Sequence, residues 1–99
     1  MLFATVTYTN QSGAKFDFEY YMKKHIPMVE RLLSTSIEVT RGIATPDGAA
    51  APFVCVGRIR IKSIEEFSAA MARYGAEILG DVPRYTNLQP AIQFDEVLS

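Results

Sequence analysis

The order of apolar and polar positions along the chain predicts four strands and two helices. Residues 2–9 alternate between two faces with a period of two, and their β-branched content favours a strand. Three further segments have the composition of strands: 36–44, 53–62 and 86–99. The segments that begin at Asp17 and at Ser63 instead repeat their apolar residues at helical spacing. The order strand, helix, strand, strand, helix, strand predicts a ferredoxin-like α+β fold.

The first residues of both predicted helices can cap them. Asp17 can accept hydrogen bonds from the free N–H groups of its first turn, and Ser63 with Glu66 has the spacing of a capping box. In the last strand, Pro90 cannot donate to a ladder, so we place it at an edge, a bulge or a junction between two pairings. We expect one domain, residues 1–99, whose four-stranded antiparallel sheet carries both helices on one face.

The other face of such a sheet is left uncovered by the chain itself. Hydrophobic residues make up 48% of the chain, with five Tyr and six Phe, which is rich for a monomer of 99 residues. Exposure of an apolar sheet face is unfavourable, and a second copy placed face to face would cover it. We therefore expect a homodimer whose two sheets enclose a barrel-like interior, which is a dimeric α/β barrel.

Charge and cysteine content argue against several classes of partner. The formal net charge is -1, with 10 basic and 11 acidic residues, whereas a nucleic-acid-binding protein usually has a basic excess. No apolar run approaches the ~20 residues that span a bilayer, and the first residues do not resemble a signal peptide, so we expect a cytoplasmic protein without a membrane partner. One cysteine, Cys55, allows no internal disulfide, and one Cys with one His does not make a metal site.

The only histidine of the chain, His25, lies two residues before Pro27 in the first predicted helix. A proline inside a helix lacks the N–H of the ladder, and its ring clashes with the preceding turn. It also disfavours the α conformation of the residue before it, which is Ile26. We therefore expect the helix to kink or restart at Pro27, and the break to direct the imidazole at a hollow within each subunit.

Helical spacing gives His25 neighbours on its own helix. Asp17, Tyr21 and His25 are four residues apart and line one side of the helix. Tyr20 lies on the neighbouring stripe. An imidazole can accept and return a proton near neutral pH, and the Tyr21 phenol can donate to a developing oxyanion. The alternatives are structural: His25 would cap carbonyls freed at the break, at least one tyrosine would only pack, and Asp17 would only be an N-cap.

Polar residues of the first and last strands are a second set of candidates. Thr7 belongs to the first strand, and Asn87 and Gln93 belong to the last segment. If these strands are adjacent, some of these side chains point into the enclosed space, and an apolar cavity with a few polar groups is typical of a small-molecule site. The alternative is that they form ordinary cross-strand hydrogen-bonding pairs.

Two motifs of the chain are similar to those of a known family. The helix motif has a Phe-Asp pair, two tyrosines and a later His-x-Pro, supplied by Phe16, Asp17, Tyr20, Tyr21, His25 and Pro27. The final-strand motif is supplied by Thr86, Asn87, Pro90 and Gln93. With these motifs the chain resembles, over nearly its whole length, the EthD family, which is named for ethyl tert-butyl ether degradation and belongs to the dimeric α/β-barrel superfamily. The resemblance implies the fold, dimerisation and a pocket near the histidine of each subunit.

The resemblance leaves the reaction open, because superfamily relatives include muconolactone isomerases, cofactor-free quinone-forming monooxygenases and haem-degrading enzymes. We predict an enzyme that binds an aromatic or carbonyl-bearing hydrophobic molecule, with His25 as acid and base and Tyr21 as donor. The reaction would be an isomerisation or a cofactor-independent oxygenation, and the oxidoreductase assignment comes from the resemblance alone. We expect no cofactor, although one axial ligand such as His25 is sufficient for haem. The alternative is a non-catalytic ligand-binding or accessory protein of a degradation pathway.

Overall fold

Four strands and two helices follow one another in the predicted order. The structure is a computed structural model and describes all 99 residues. The elements are β1 (Leu2–Thr9), α1 (Phe18–Tyr20, Tyr21–His25 and Ile26–Leu33), β2 (Ile37–Arg41), β3 (Phe53–Ile61), α2 (Ile64–Gly80) and β4 (Pro90–Glu96). The strands form one antiparallel sheet in the order β2-β3-β1-β4. The predicted ferredoxin-like α+β fold is confirmed.

The predicted helix caps are present. The Asp17 carboxylate accepts a hydrogen bond from the Tyr20 N–H at 3.1 Å, and the Ser63 hydroxyl accepts one from the Glu66 N–H at 3.1 Å. Pro90 is the first residue of the edge strand β4, where its missing N–H is tolerated. Neither helix combines the length and the apolar character that a bilayer crossing requires.

Helix α1 changes its hydrogen-bond register next to its proline. Residues Tyr21–His25 form a π-helical turn, and the Ile26 N–H donates to the Tyr21 carbonyl five residues back. The α-helical segment Ile26–Leu33 then begins with Pro27 in its first turn, so the predicted restart is confirmed. The prediction for Ile26 was wrong, because its φ of -59° and ψ of -47° are α-helical. The wider turn gives the Pro27 ring room that a regular helix would not give.

The core lies between the sheet and the two helices. On β1 the side chains of Ala4 and Tyr8 are buried on this face, and on β3 the corresponding residues are Cys55, Gly57 and Ile59. An aromatic-rich cluster surrounds Tyr8, and a smaller cluster contains Ala4, Ile59 and Phe67. The molecule is a two-layer slab, with principal extents of 39 × 35 × 19 Å.

The helix-free face of the sheet is more polar than predicted. Strand register places the following residues on this face: Phe3, Thr5, Thr7, Val56, Arg58, Arg60, Gln93 and Asp95. Phe3 and Val56 are the large apolar residues among these, whereas threonines, a glutamine and charged side chains make up the rest. The alternation of apolar and polar residues in β1 and β3 gives each strand one apolar face. In the structure, the helices already cover that apolar face.

Gly57 lets an aromatic ring from α1 lie close to β3. A Cβ built at this position would be 3.0 Å from the Tyr21 hydroxyl oxygen. The Tyr21 ring cannot easily withdraw, because it packs against Phe16 at a centroid distance of 5.0 Å and against Tyr85 at 4.9 Å. The position of Tyr21, and of the turn that carries it, therefore depends on the missing side chain of Gly57.

We predict that Gly57→Ala lowers the free energy of unfolding by about 1–3 kcal/mol, because the added methyl group overpacks the core against Tyr21. Gly75→Ala is the matched control. Gly75 lies inside α2, and the nearest atom to its Cβ would be a Met71 methyl carbon at 3.5 Å, which is ordinary contact. This control should raise the stability by about 0.5–1 kcal/mol through helix propensity. Urea unfolding measures both, and equal effects of the two substitutions would contradict the close packing at Gly57.

Candidate functional site

The only imidazole of the chain is buried, and both of its nitrogens have partners. His25 is 4% exposed and lies between the helices and the sheet. Its Nδ1 is 2.9 Å from Asp81 Oδ2, and its Nε2 is 3.3 Å from the Tyr85 hydroxyl. Asp81 ends α2, and Tyr85 follows the short 3₁₀ turn Val82–Arg84. The end of the second helix therefore supplies both partners of a histidine on the first.

Further hydroxyl groups extend this contact in two directions. On the inner side, the Tyr85 and Tyr8 hydroxyls are 2.6 Å apart. On the outer side, the Tyr20 hydroxyl donates to Asp81 Oδ1 at 2.8 Å, and Arg84 Nε lies 3.7 Å from the same oxygen. Side chains of β1, of α1 and of the segment after α2 thus form one continuous hydrogen-bonded chain.

Aromatic rings enclose this chain of polar groups. The Tyr21 ring stacks on the His25 ring at a centroid distance of 5.5 Å and an interplanar angle of 17°. The Tyr85 ring is 4.6 Å from the His25 ring, and Phe16 meets Tyr8 edge-on at 5.1 Å. Because these rings exclude water, hydrogen bonds within the site are stronger than in solvent, and an unpartnered polar group there would be unfavourable.

Burial and the carboxylate have opposite effects on the protonation of His25. Burial lowers the pKa of His25 below its usual 6.5, and the hydrogen bond and negative charge of Asp81 offset this only in part. Burial also acts to raise the pKa of Asp81, but hydrogen bonds from His25 and Tyr20 outweigh it and the pKa lies below the usual 3.8. At neutral pH the pair is therefore a neutral imidazole beside a carboxylate.

These protonation states fix the direction of each hydrogen bond. A carboxylate only accepts, so His25 Nδ1 carries the hydrogen and Nε2 carries the lone pair. The Tyr85 hydroxyl then donates to Nε2, and its oxygen accepts from Tyr8. Burial raises the pKa of Tyr8 to about 12 and raises the pKa of Tyr85 further, so both hydroxyls keep their protons.

An apolar cavity lies beside the imidazole, between the sheet and α2. Fourteen of its 17 lining residues are hydrophobic, and its volume is about 50 Å³. The lining consists of Val6, Tyr8, Tyr21, His25, Ile26, Val29, Leu33, Ile37, Gly57, Ile59, Phe67, Met71, Ile78, Leu79, Val82, Pro90 and Ile92. No Lys, Arg, Asp or Glu is among them. Its polar groups are therefore the two tyrosine hydroxyls and the imidazole.

This volume holds a few water molecules but not an aromatic ring, for which a cavity of about 150 Å³ is known to suffice. Leu79 and Ile92 lie at its outer side and are 50% and 43% exposed. Met71 also lines it, and a methionine side chain adapts its shape easily. A larger ligand would therefore enter by displacing these side chains, without any change in the sheet.

The structure brings together three of the six predicted site residues. His25 and Tyr21 stack at the cavity, and Tyr20 joins them from outside through Asp81. Asp17, which the helical spacing placed on the same side, only caps the helix, because its carboxylate turns back to its own first turn.

Thr7, Gln93 and Asn87 lie away from His25. Thr7 and Gln93 are on the helix-free face, whereas the imidazole faces the helices. The π turn directs the imidazole toward the core of its own subunit, where it lines the cavity. The Asn87 amide accepts from the Lys15 N–H at 2.9 Å and donates to the Gly13 carbonyl at 3.0 Å, so it fixes the loop before α1.

Sequence reasoning missed Asp81, Tyr85 and Tyr8 as partners of His25. Tyr8 belongs to the apolar alternation of β1, and a buried hydroxyl needs a partner, which is a usable signal. Asp81 and Tyr85 lie in a segment without apolar periodicity, so no spacing rule could relate them to His25.

The site also bears on metal and haem binding. Three or more His, Cys, Asp or Glu side chains do not come together anywhere in the structure. A haem iron at His25 Nε2 would have to displace the Tyr85 hydroxyl. The prediction that the protein uses no cofactor stays a prediction.

Fold and site together define a ferredoxin-like α+β protein with an internal apolar cavity and a buried histidine–carboxylate pair. A crystal structure of an EthD-like protein from Ralstonia eutropha JMP134 is 38% identical, with a TM-score of 0.92, over 99% of this chain and 92% of the other. Two further structures share the fold. An EthD family protein from Bacillus halodurans C-125 has 18% sequence identity and a TM-score of 0.65, over 98% of this chain and 99% of the other. HapK from Hahella chejuensis has 18% sequence identity and a TM-score of 0.53, over 100% of this chain and 95% of the other. Neither family models nor curated proteins give a match.

The chain therefore belongs to the EthD family, as its helix motif indicated. Identity at this level over nearly the whole of both chains goes beyond a shared fold, which alone would leave the family open.

We predict that the free energy of unfolding falls as the pH is lowered from about 7.5 to about 5.5. The pKa of His25 is lower in the folded protein than in the unfolded chain, so in this range the unfolded chain binds more protons. Asp81 stays ionised and the neighbouring tyrosines stay neutral there. The urea unfolding midpoint, plotted against pH, should have a smaller slope in His25→Gln than in the wild type. The slope should be unchanged in the exposed control Lys24→Gln. An equal slope in all three proteins would contradict the buried neutral imidazole.

Proposed function

We propose that the protein is an enzyme that binds a neutral aromatic or carbonyl-bearing molecule in the apolar cavity and uses His25 as a general base. The observation that carries this proposal is the neutral imidazole at the cavity wall, with Nδ1 held 2.9 Å from the Asp81 carboxylate. A general base must be unprotonated at the working pH and fixed in direction, and this arrangement provides both.

Asp81 contributes more than orientation. When His25 takes up a proton, the imidazolium forms beside a carboxylate that already accepts its Nδ1–H, so the new charge is stabilised without rearrangement. Tyr20 keeps the second carboxylate oxygen in place at 2.8 Å. The same arrangement returns the proton when the imidazole reverts to its neutral form, as an isomerisation would require.

The lining of the cavity selects for a substrate without charge. A carboxylate or phosphate group would have to give up its hydration, and no cationic side chain lines the cavity to compensate for it. A carbonyl or hydroxyl oxygen could instead accept from the hydroxyl of Tyr21, since the Tyr8 hydroxyl already donates to Tyr85. The Tyr21 hydroxyl could also stabilise the negative charge that develops when the substrate loses its proton.

Proton abstraction is the first step of both reactions that the sequence suggests. In an isomerisation the proton would return at another atom of the substrate, whereas in a cofactor-independent oxygenation the substrate anion would react with dioxygen. The second candidate function is non-catalytic ligand binding. Its support is the complete hydrogen bonding of His25 and the small volume of about 50 Å³, both of which suit a purely structural histidine.

We also propose that two copies associate through their helix-free sheet faces. The slab is 19 Å thick in its shortest direction, and Phe3 and Val56 are only partly buried on the uncovered face. Arg58 and Arg60 lie on the same face as Asp95. Both signs of charge on one face permit complementary contacts about a two-fold axis.

The proposed binding function is tested by titration of a panel of phenols, quinones and unsaturated ketones, each paired with an analogue that carries a carboxylate. We expect the neutral compounds to bind and to shift the NMR signals of the only histidine, and the charged analogues to bind at least about tenfold more weakly, which corresponds to about 1.4 kcal/mol. Leu79→Ala, which removes part of the outer wall, should accelerate binding.

An assay of product formation distinguishes the enzyme from the non-catalytic binding protein. For compounds that bind, product formation should be lost in His25→Gln while binding is retained, because the base is removed but the cavity remains. Lys24→Gln is the control for a change outside the site. Binding without turnover of any compound in the wild-type protein would favour the non-catalytic function, and no binding of any neutral compound would contradict both.

The proposed dimer predicts sedimentation at twice the chain mass of 11.0 kDa at micromolar concentration. Val56→Lys places a charge in the centre of the helix-free face and should shift the equilibrium to the monomer. Ala76→Lys, on the exposed surface of α2, is the matched control and should leave it unchanged. A wild-type protein that sediments only as a species of 11.0 kDa would contradict the dimer.

A further inference from the structure

We propose that the ligand's proton reaches His25 through two tyrosines, with Tyr8 in contact with the ligand and Tyr85 between Tyr8 and the imidazole, and that the ligand is a phenol or an enol. This inference rests on the proposed function, because it assumes that a ligand occupies the cavity and that His25 is its base.

The Nε2 atom of His25 already has a hydrogen-bond partner. The Tyr85 hydroxyl lies 3.3 Å from Nε2, and Nδ1 is taken by Asp81 at 2.9 Å. A neutral imidazole has one lone pair, on the nitrogen that lacks the hydrogen. A ligand therefore cannot reach this lone pair directly unless it displaces Tyr85, whose side chain is itself 3% exposed and packed among rings.

The two tyrosines differ in their access to the cavity. Tyr8 lines the cavity, whereas Tyr85 does not. Their hydroxyl oxygens are only 2.6 Å apart, which is a short and well-formed hydrogen bond. The path from the cavity to Nε2 therefore runs over Tyr8 and then Tyr85, with no gap that a water molecule would have to fill.

Every donor in this path points toward His25. Asp81 fixes the hydrogen on Nδ1, so Tyr85 donates to Nε2 and Tyr8 donates to Tyr85, and the Tyr8 oxygen can accept from a ligand in the cavity. One transfer then breaks the ligand O–H bond and forms a new O–H bond on Tyr8. The proton that Tyr8 originally carried passes to the Tyr85 oxygen. The proton that Tyr85 originally carried passes to Nε2 of His25, where a new N–H bond forms.

The products of this transfer are a ligand anion and an imidazolium, and both tyrosines end as neutral hydroxyls. Neither tyrosine has to ionise, since each gives up one proton as it receives another. This also defines the ligand. A tyrosine hydroxyl that remains neutral is a poor base toward a C–H bond, whereas transfer between hydrogen-bonded oxygen atoms needs only a small driving force. A hydroxyl on a phenol or an enol meets that condition.

Few other charged or titratable groups surround the path. From α1 they are Tyr20 and Tyr21, from β3 Cys55, and from the segment after α2 Asp81 and Arg84. Arg84 touches only the outer side of Asp81. The raised pKa of Cys55, about 11, keeps this thiol neutral beside Tyr21. His25 is therefore the group in this set that would gain charge near neutral pH.

The test uses 4-nitrophenol, whose phenolate absorbs visible light and whose phenol does not. The ionisation of the bound probe is followed by absorbance against pH, with affinity measured by calorimetry, in the wild type, in Tyr85→Phe and in Tyr8→Phe. Both variants keep the ring and remove the hydroxyl, so that at least one is expected to fold. The control is Tyr74→Phe in α2, because Tyr74 is not among the residues that line the cavity.

We expect Tyr85→Phe to bind the probe within about threefold of the wild type, and Tyr8→Phe, which loses the acceptor for the probe's hydroxyl, to bind it up to about tenfold more weakly. Both variants should require a pH at least about one unit higher for the ionisation of the bound probe. On addition of probe at neutral pH, the NMR signals of the only histidine should move to those of an imidazolium in the wild type and in Tyr74→Phe, and not in the path variants. A tyrosine with a merely packing role would not produce this difference.

Two different outcomes would contradict the two-tyrosine path, and they can be told apart. If the path variants ionise the bound probe at the same pH as the wild type, His25 takes the proton directly and the two-tyrosine path is wrong, although the proposed function stands. If the wild type does not bind the probe, or binds it without any change at His25, the proposed function fails for phenols and the path fails with it.

Discussion

The structure depends on the burial of one imidazole that has to satisfy two nitrogens away from water. Nδ1 requires an acceptor and Nε2 a donor, and an unpartnered nitrogen in this position would be destabilising by a few kcal/mol. Asp81 and Tyr85 meet both needs, and both come from the short stretch in which α2 ends and turns toward β4. The pairing therefore joins the two helices at one point, and it also fixes which nitrogen can receive a proton.

Local backbone features serve this arrangement. In the π turn Tyr21–His25, the tyrosine ring and the histidine ring stack on each other. Pro27 follows this turn, at a position where a regular helix would require a backbone N–H that proline lacks. Gly57 leaves space on β3 for the Tyr21 hydroxyl. π turns in helices are frequent at functional sites, and here the turn coincides with the cavity and with the only imidazole of the chain at its wall.

The fold followed from the sequence because each element has a local signal. Alternation over β1, the cap at Asp17 and the Ser63 capping box are properties of short segments, and the structure reproduces them. The partners of His25 did not follow, because Asp81 lies 56 residues away in a segment without periodicity. Its contact arises from how α2 ends against α1, and no pattern within either helix encodes that.

The most direct test is the tautomer of His25, measured from the ¹⁵N shifts of its ring nitrogens at neutral pH. With only one histidine in the chain the assignment is unambiguous. We predict a neutral ring with the hydrogen on Nδ1 and an unprotonated Nε2, held in that form by the carboxylate. A ring protonated on both nitrogens at neutral pH, or one that carries its hydrogen on Nε2, would contradict the pairing with Asp81 and remove the basis for the general base.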